Sequence, residues 1–80
     1  MIVEDDIHLL SALTFALEAE GFAVAPFARG DEALQAPFRA DCIVIDFKLP
    51  DRDGLTLIEA LRSRGVSCPA ILITSNPDER

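Results

Sequence analysis

Three segments of this chain carry side chains whose type and spacing could do chemistry. Glu4-Asp5-Asp6 sets three acids in a row behind the apolar start of the chain. Asp46 closes the apolar run Cys42-Ile43-Val44-Ile45, and Thr74-Ser75 closes Ala70-Ile71-Leu72-Ile73. Carboxylates gathered in one place repel one another, so they either raise a carboxyl pKa or recruit a cation. Oxygen ligands with room for water suit Mg²⁺, which prefers one or two carboxylates plus phosphate oxygens. A carboxylate beside Mg²⁺ can act as a nucleophile and accept a phosphoryl group. A neighbouring hydroxyl could then bond a phosphoryl oxygen.

These segments are far apart in sequence, so a fold must bring them together. Between Ile7 and Glu20, the positions Ile7, Leu10, Leu13 and Leu17 form an apolar stripe widened by Leu9, Ala12 and Ala16. That spacing predicts an amphipathic helix, with Asp5 or Asp6 as its N-cap and Gly21 as its stop. Phe22 to Phe27 reads as a short strand, and Pro26 assigns it to an edge or to its own end. Gly30 to Gln35 predicts a short helix ended before Pro37. Asp41 to Phe47 is apolar without alternation at its centre, as in a parallel strand covered on both faces. Lys48 to Gly54 is a loop by its Pro, Asp and Gly content. Leu55, Ile58 and Leu61 mark a further helix, capped by Asp53 and ended at Gly65. Pro69 to Thr74 is another continuous apolar strand, and Ser75 to Arg80 is a polar connection with Ser75 as a helix N-cap. The order β-α-β-α-β-α-β predicts an α/β domain with parallel strands and right-handed crossovers. In such sheets the functional crevice lies beyond the carboxyl ends of the strands, where all three segments would converge.

Taken together, Ile2-Val3-Glu4-Asp5-Asp6, Val44-Ile45-Asp46-Phe47-Lys48-Leu49-Pro50-Asp51-x-Asp53-Gly54 and Ile71-Leu72-Ile73-Thr74-Ser75 resemble a bacterial response-regulator receiver domain. The resemblance runs the length of the chain, with three motifs in order. It implies a three-layer, flavodoxin-like parallel sheet with visible strand order 2-1-3-4. It implies that Asp46 is the phosphoacceptor, that Asp5 ligates Mg²⁺ directly, and that Glu4 is its acidic neighbour acting through water. Lys48 would offer its backbone carbonyl to the metal, and Thr74 would be the switch hydroxyl. Pro50 and Gly54 would shape the loop between them. The phosphoryl donor would be the phosphohistidine of a sensor histidine kinase. Family members also carry a fourth helix, a fifth strand bearing a phosphoryl-facing Lys and an aromatic residue, and a fifth helix. None of these maps onto the sequence, so the chain is expected to be a partial receiver domain over residues 1–80.

Each of these residues also has a plainer reading. Asp46 could be a turn aspartate after a buried strand, Thr74 a β-branched strand terminus, and the acids at 4–6 a helix cap with favourable first-turn charge. Asp6 is expected to be only that. His8 has no partner at metal-ligand spacing and is expected exposed on the first helical turn. Cys42 and Cys68 match no zinc spacing and read as free thiols of a reducing cytosol. The phenylalanines are scattered, which does not suggest a base-stacking platform.

Composition narrows the function classes. The chain has 80 residues, 50% hydrophobic and 26% charged, with 14 acids against 7 Lys and Arg. The formal charge of −7 speaks against a domain held to nucleic acid by phosphate contacts. No apolar run reaches a membrane span, and no basic segment precedes an apolar stretch, so a soluble, cytoplasmic chain is expected; the resemblance implies a signalling module and not an enzyme. A degenerate receiver that binds a partner without phosphorylation is the alternative. A phosphatase of the aspartate-nucleophile type would need a second Asp two residues after Asp46, where Lys48 stands. In the expected strand order the fourth strand is an edge, so its apolar run invites pairing with another chain, as a dimer or a swapped oligomer.

Overall fold

An apolar run with no polar side needs cover on both faces, and the fold supplies it to the strand ending in Asp46. The computed structural model describes residues 1–36 and 39–74. Pro37, Phe38 and Ser75 to Arg80, with the cap expected at Ser75, lie outside the described residues. The elements are β1 (Ile2–Val3), α1 (Ile7–Ala19), β2 (Pro26–Phe27), α2 (Gly30–Gln35), β3 (Ile43–Asp46), α3 (Gly54–Ser63) and β4 (Ala70–Ile73). The strands pair in parallel in the order β2-β1-β3-β4, the expected flavodoxin-like order. Val3, Ile43 and Ile45 pack with Ala33 of α2 and with Leu57 and Leu61 of α3 to form the buried core. On the other face Ile2 and Val44 line a groove of about 440 Å³ with Leu17 of α1 and Phe22. The sheet is therefore sandwiched between α1 and the pair α2 and α3. Among the described residues no helix is long and apolar enough to cross a membrane.

Helix ends follow the cap chemistry. Asp6, of the two candidates, caps α1: its Oδ1 accepts from the amides of His8 at 3.0 Å and Leu9 at 3.2 Å. Asp53 caps α3 by accepting from the Thr56 amide at 2.7 Å. Gly21 and Gly65, with φ of 97° and 89°, carry the left-handed turn after each of these helices.

Two elements depart from expectation, and both departures trace to the brevity of β1. The strand expected from Phe22 to Phe27 narrows to Pro26–Phe27, because its only neighbour is the two-residue β1. Pro26, which has no amide to donate, opens this edge strand. The stripe of α1 is also shallower than its periodicity predicts. Leu10, Leu13 and Leu17 are half-buried, while Ile7, Ala12 and Ala16 are exposed and Phe15 is 76% exposed. α1 packs on β1 and β2, a platform too narrow to cover a full helical face.

The thiols of Cys42 and Cys68 are free, as expected. They also serve different faces, Cys68 packing toward the core and Cys42 lining the groove beside α1.

The start of α3 presses close on the sheet. A Cβ on Gly54 would lie 2.7 Å from the Asp46 carbonyl oxygen and 2.8 Å from Cδ2 of Leu72. Gly54→Ala is therefore expected to destabilise the chain by about 1–3 kcal/mol, read as a lower urea midpoint. β4 ends the sheet with Ile71 52% and Leu72 38% exposed. The 80-residue chain is expected to self-associate with rising concentration in sedimentation velocity, and Ile71→Lys to suppress it. A monomer at every concentration would count against edge pairing.

Candidate metal and acceptor site

Parallel pairing brings the acids together. Val3 lies opposite Ile45 in the β1–β3 ladder, so Glu4 and Asp46 follow paired residues at the same edge. Glu4 is 0% exposed and Asp46 2%, while Asp5 is exposed. One carboxylate oxygen from each of Glu4, Asp5 and Asp46 lies within 4.8 Å of the others. The spare residue of the acidic triplet is Asp6, which turns away to cap α1.

Glu4 is the most constrained member. Its Oε2 accepts from the Asp6 amide at 3.1 Å, but its Oε1 is buried without a hydrogen-bond partner. Burial foremost pushes the Glu4 carboxyl up to about 7, against the lowering effect of the Asp6 amide and with the help of Asp46 and Asp5. A buried carboxylate oxygen lacking a donor asks for a proton or a cation. The oxygen-only donor set fits a hard cation. Mg²⁺ takes oxygens at about 2.0–2.1 Å and keeps several waters, so a set this spread suits one ion met partly through water.

Asp46 sits at the mouth of a tight turn. Its Oδ1 accepts from the Lys48 amide at 3.3 Å. Lys48 and Asp53 form an antiparallel bridge, the Leu49 amide donates to Arg52 O at 3.2 Å, and the Gly54 amide donates to Phe47 O at 2.6 Å. These bonds fold the loop back on itself and hold the Lys48 main chain beside the Asp46 carboxylate. Thr74 directly follows Ile73, the residue paired with Asp46, and is exposed at the same edge. His8 is exposed on the first turn of α1, as expected.

One residue of this edge has a role the sequence reading missed. Asp51, expected only to lie along this edge in the loop after Asp46, accepts from the amides of Gly30 and Asp31 at the start of α2. No local motif signals this contact, because its partners lie twenty residues upstream.

The chain matches the family model described as the response regulator receiver domain over residues 1–80. It is 34% identical over 84 residues to the transcriptional regulatory protein PrrA of Mycobacterium tuberculosis, covering 100% of this chain and 36% of that protein. It is 33% identical over 75 residues to the transcriptional regulatory protein CssR of Bacillus subtilis, covering 92% of this chain and 33% of that protein. To the DNA-binding response regulator MtrA of Mycobacterium tuberculosis it is 32% identical over 80 residues, covering 98% of this chain and 35% of that protein. The chain thus spans about a third of the length of the curated relatives it matches.

The raised pKa of Glu4 has a consequence for stability. Between the ordinary value of 4.5 and about 7 the folded chain holds a proton that the unfolded chain has lost. Its contribution to stability is full below pH 4.5 and is lost as pH rises through about 7. Without divalent cation, the urea midpoint is expected to fall across that window. In Glu4→Gln the fall should be much reduced, and the variant should be the more stable protein at pH 8.

Proposed function

The chain belongs to the response regulator receiver domain family, and from that membership we propose that it is the phosphoryl-accepting module of a two-component signalling protein. The observation that carries this reading is the grouping of one carboxylate oxygen each from Glu4, Asp5 and Asp46 within 4.8 Å, with Glu4 buried and its Oε1 without a hydrogen-bond partner. In a purely structural cap both oxygens of a buried carboxylate would find donors. Here one is left without a donor, in a residue that also belongs to the acidic cluster.

In this reading Asp5 and Asp46 would hold Mg²⁺ through carboxylate oxygens, with Glu4 acting through water and the Lys48 carbonyl as a further donor. Mg²⁺, when bound, offsets negative charge on the incoming phosphoryl oxygens. An Asp46 carboxylate oxygen attacks phosphorus, an O–P bond forms, and the N–P bond of a donor phosphohistidine breaks. The electron pair stays on the imidazole nitrogen, which takes up a proton, and Asp46 becomes an acyl phosphate. The Lys48 amide, already bonded to the Asp46 side chain, fixes which oxygen faces the donor. Thr74, which follows the β4 residue paired with Asp46, would bond a phosphoryl oxygen. Its reorientation would carry the signal outward, biasing a two-state equilibrium.

The donor is a sensor histidine kinase, and the setting is the cytoplasm, where such donors are charged from ATP. The chain accepts one group and does not turn substrate over, so it is a switch and not an enzyme. The surplus of acids gives this segment no basic face for nucleic acid.

Incubation with Mg²⁺ and acetyl phosphate, followed by intact mass, tests the proposal. One phosphoryl group per chain is expected, none in Asp46→Ala, and an adduct with a weakened conformational response in Thr74→Ala. Asp5→Asn should lower Mg²⁺ affinity by about tenfold or more. An adduct that persists in Asp46→Ala would move the acceptor elsewhere. A chain that binds no Mg²⁺ and forms no adduct would overturn the proposal in favour of a contact-only module.

A further inference from the structure

Helix α2 begins without a cap of its own. Arg29 stands at the N-cap position and makes no side-chain hydrogen bond to the helix. Its guanidinium pairs with Asp31 instead, Nε to Oδ1 at 3.1 Å. The first amides of a helix have no acceptor within it, and here the acceptors come from the loop after β3. Asp51 takes the Gly30 amide on Oδ1 at 3.2 Å and the Asp31 amide on Oδ2 at 2.9 Å. Both oxygens of one carboxylate are thus committed to the main chain of another element. Arg52 backs the contact, with Nε 3.4 Å from Asp51 Oδ2. The fit is close: a Cβ on Gly30 would lie 3.3 Å from Asp51 Oδ2 and 3.4 Å from two side-chain carbons of Arg52.

This clamp grips the turn that faces Asp46. Asp51 stands between Leu49 and Arg52, whose backbone bond closes the turn, and the Lys48–Asp53 bridge lies just beneath it. The same turn presents the Lys48 amide to Asp46 Oδ1. If Asp51 lets go, the turn loses its described hydrogen bonds to α2, and the Lys48 main chain loses its fixed position beside the acceptor.

We propose that Asp51 is a positioning residue of the acceptor site, clamping the 47–54 turn onto the first turn of α2 so that the Lys48 main chain is held at Asp46. The inference rests on the reading of Asp46 as phosphoacceptor beside Mg²⁺. It also makes α2 part of the site's energetics. Because coupling is reciprocal, cation binding at Glu4, Asp5 and Asp46 tightens the clamp, and loss of the clamp weakens cation binding.

The test uses the full chain, with Mg²⁺ and acetyl phosphate as probes and folding checked by circular dichroism. In the wild type, amide exchange at Gly30 and Asp31 is expected to slow when Mg²⁺ is added. Asp51→Ala is expected to weaken Mg²⁺ binding about tenfold and to slow adduct formation at saturating Mg²⁺ and donor. Asp51→Asn, which keeps one acceptor oxygen, should fall between. A role confined to stability would lower the urea midpoint and leave Mg²⁺ affinity and adduct rate unchanged, and that result overturns the proposal. Should neither variant fold, wild-type exchange decides: Gly30 and Asp31 amides indifferent to saturating Mg²⁺ overturn it. A wild type that binds no Mg²⁺ and takes no phosphoryl group overturns the acceptor reading, and this inference with it.

Discussion

Two carboxylates, Glu4 and Asp46, are buried side by side at the ends of neighbouring strands, and like charges held so close in a low dielectric resist being ionised together. The rest of the structure depends on forcing that encounter. Parallel pairing does it: with β1 and β3 running the same way, residues that end each strand arrive at the same edge. An antiparallel pair in the same sheet would have sent Glu4 and Asp46 to opposite ends. The cost appears at Glu4, whose carboxyl is raised to about 7 and whose Oε1 has no donor. A fold selected only for stability has no reason to keep that oxygen unpartnered. On the proposed reading, a bound cation would supply the partner that this oxygen lacks.

The acids of this edge divide their work. Because the strands are parallel and the helices return between them, each helix starts at the carboxyl end of the sheet. Each start exposes amides that need acceptors, and each is met by an aspartate: Asp6 for α1, Asp53 for α3, and Asp51 from a distance for α2. Glu4, Asp5 and Asp46 cap no helix, and they are the acids whose oxygens gather within 4.8 Å. A high local density of acids is thus two sets interleaved, one that caps helix starts and one gathered at the ends of β1 and β3.

Much of this was legible in the residues. The apolar runs ending in Asp46 and Thr74, the caps Asp6 and Asp53, and the stops Gly21 and Gly65 are local signals, and local physics decides them. What escaped was set by distant partners. The strand expected from Phe22 shrank to Pro26–Phe27 because ladder length belongs to the pair, and β1 offers only Ile2 and Val3. The apolar stripe of α1 is real, yet Ile7 stays exposed because periodicity states which face is apolar and says nothing of how wide a platform awaits it. Among site residues, Glu4, Asp5 and Asp46 could be grouped from strand ends alone. Asp51 could not, since its partners Gly30 and Asp31 are brought to it by tertiary packing.

The two buried acids stand at the best-packed part of the sheet. Glu4 directly follows β1 and Asp46 ends β3, the two interior strands of the described sheet, where Val3, Ile43 and Ile45 are buried against α2 and α3. Positions there are held by dense packing and change little without opening the core. On the proposed reading, the two carboxylates that must hold a fixed geometry for cation and phosphoryl therefore stand where packing leaves them least room to move, and parallel pairing of β1 with β3 puts them there together.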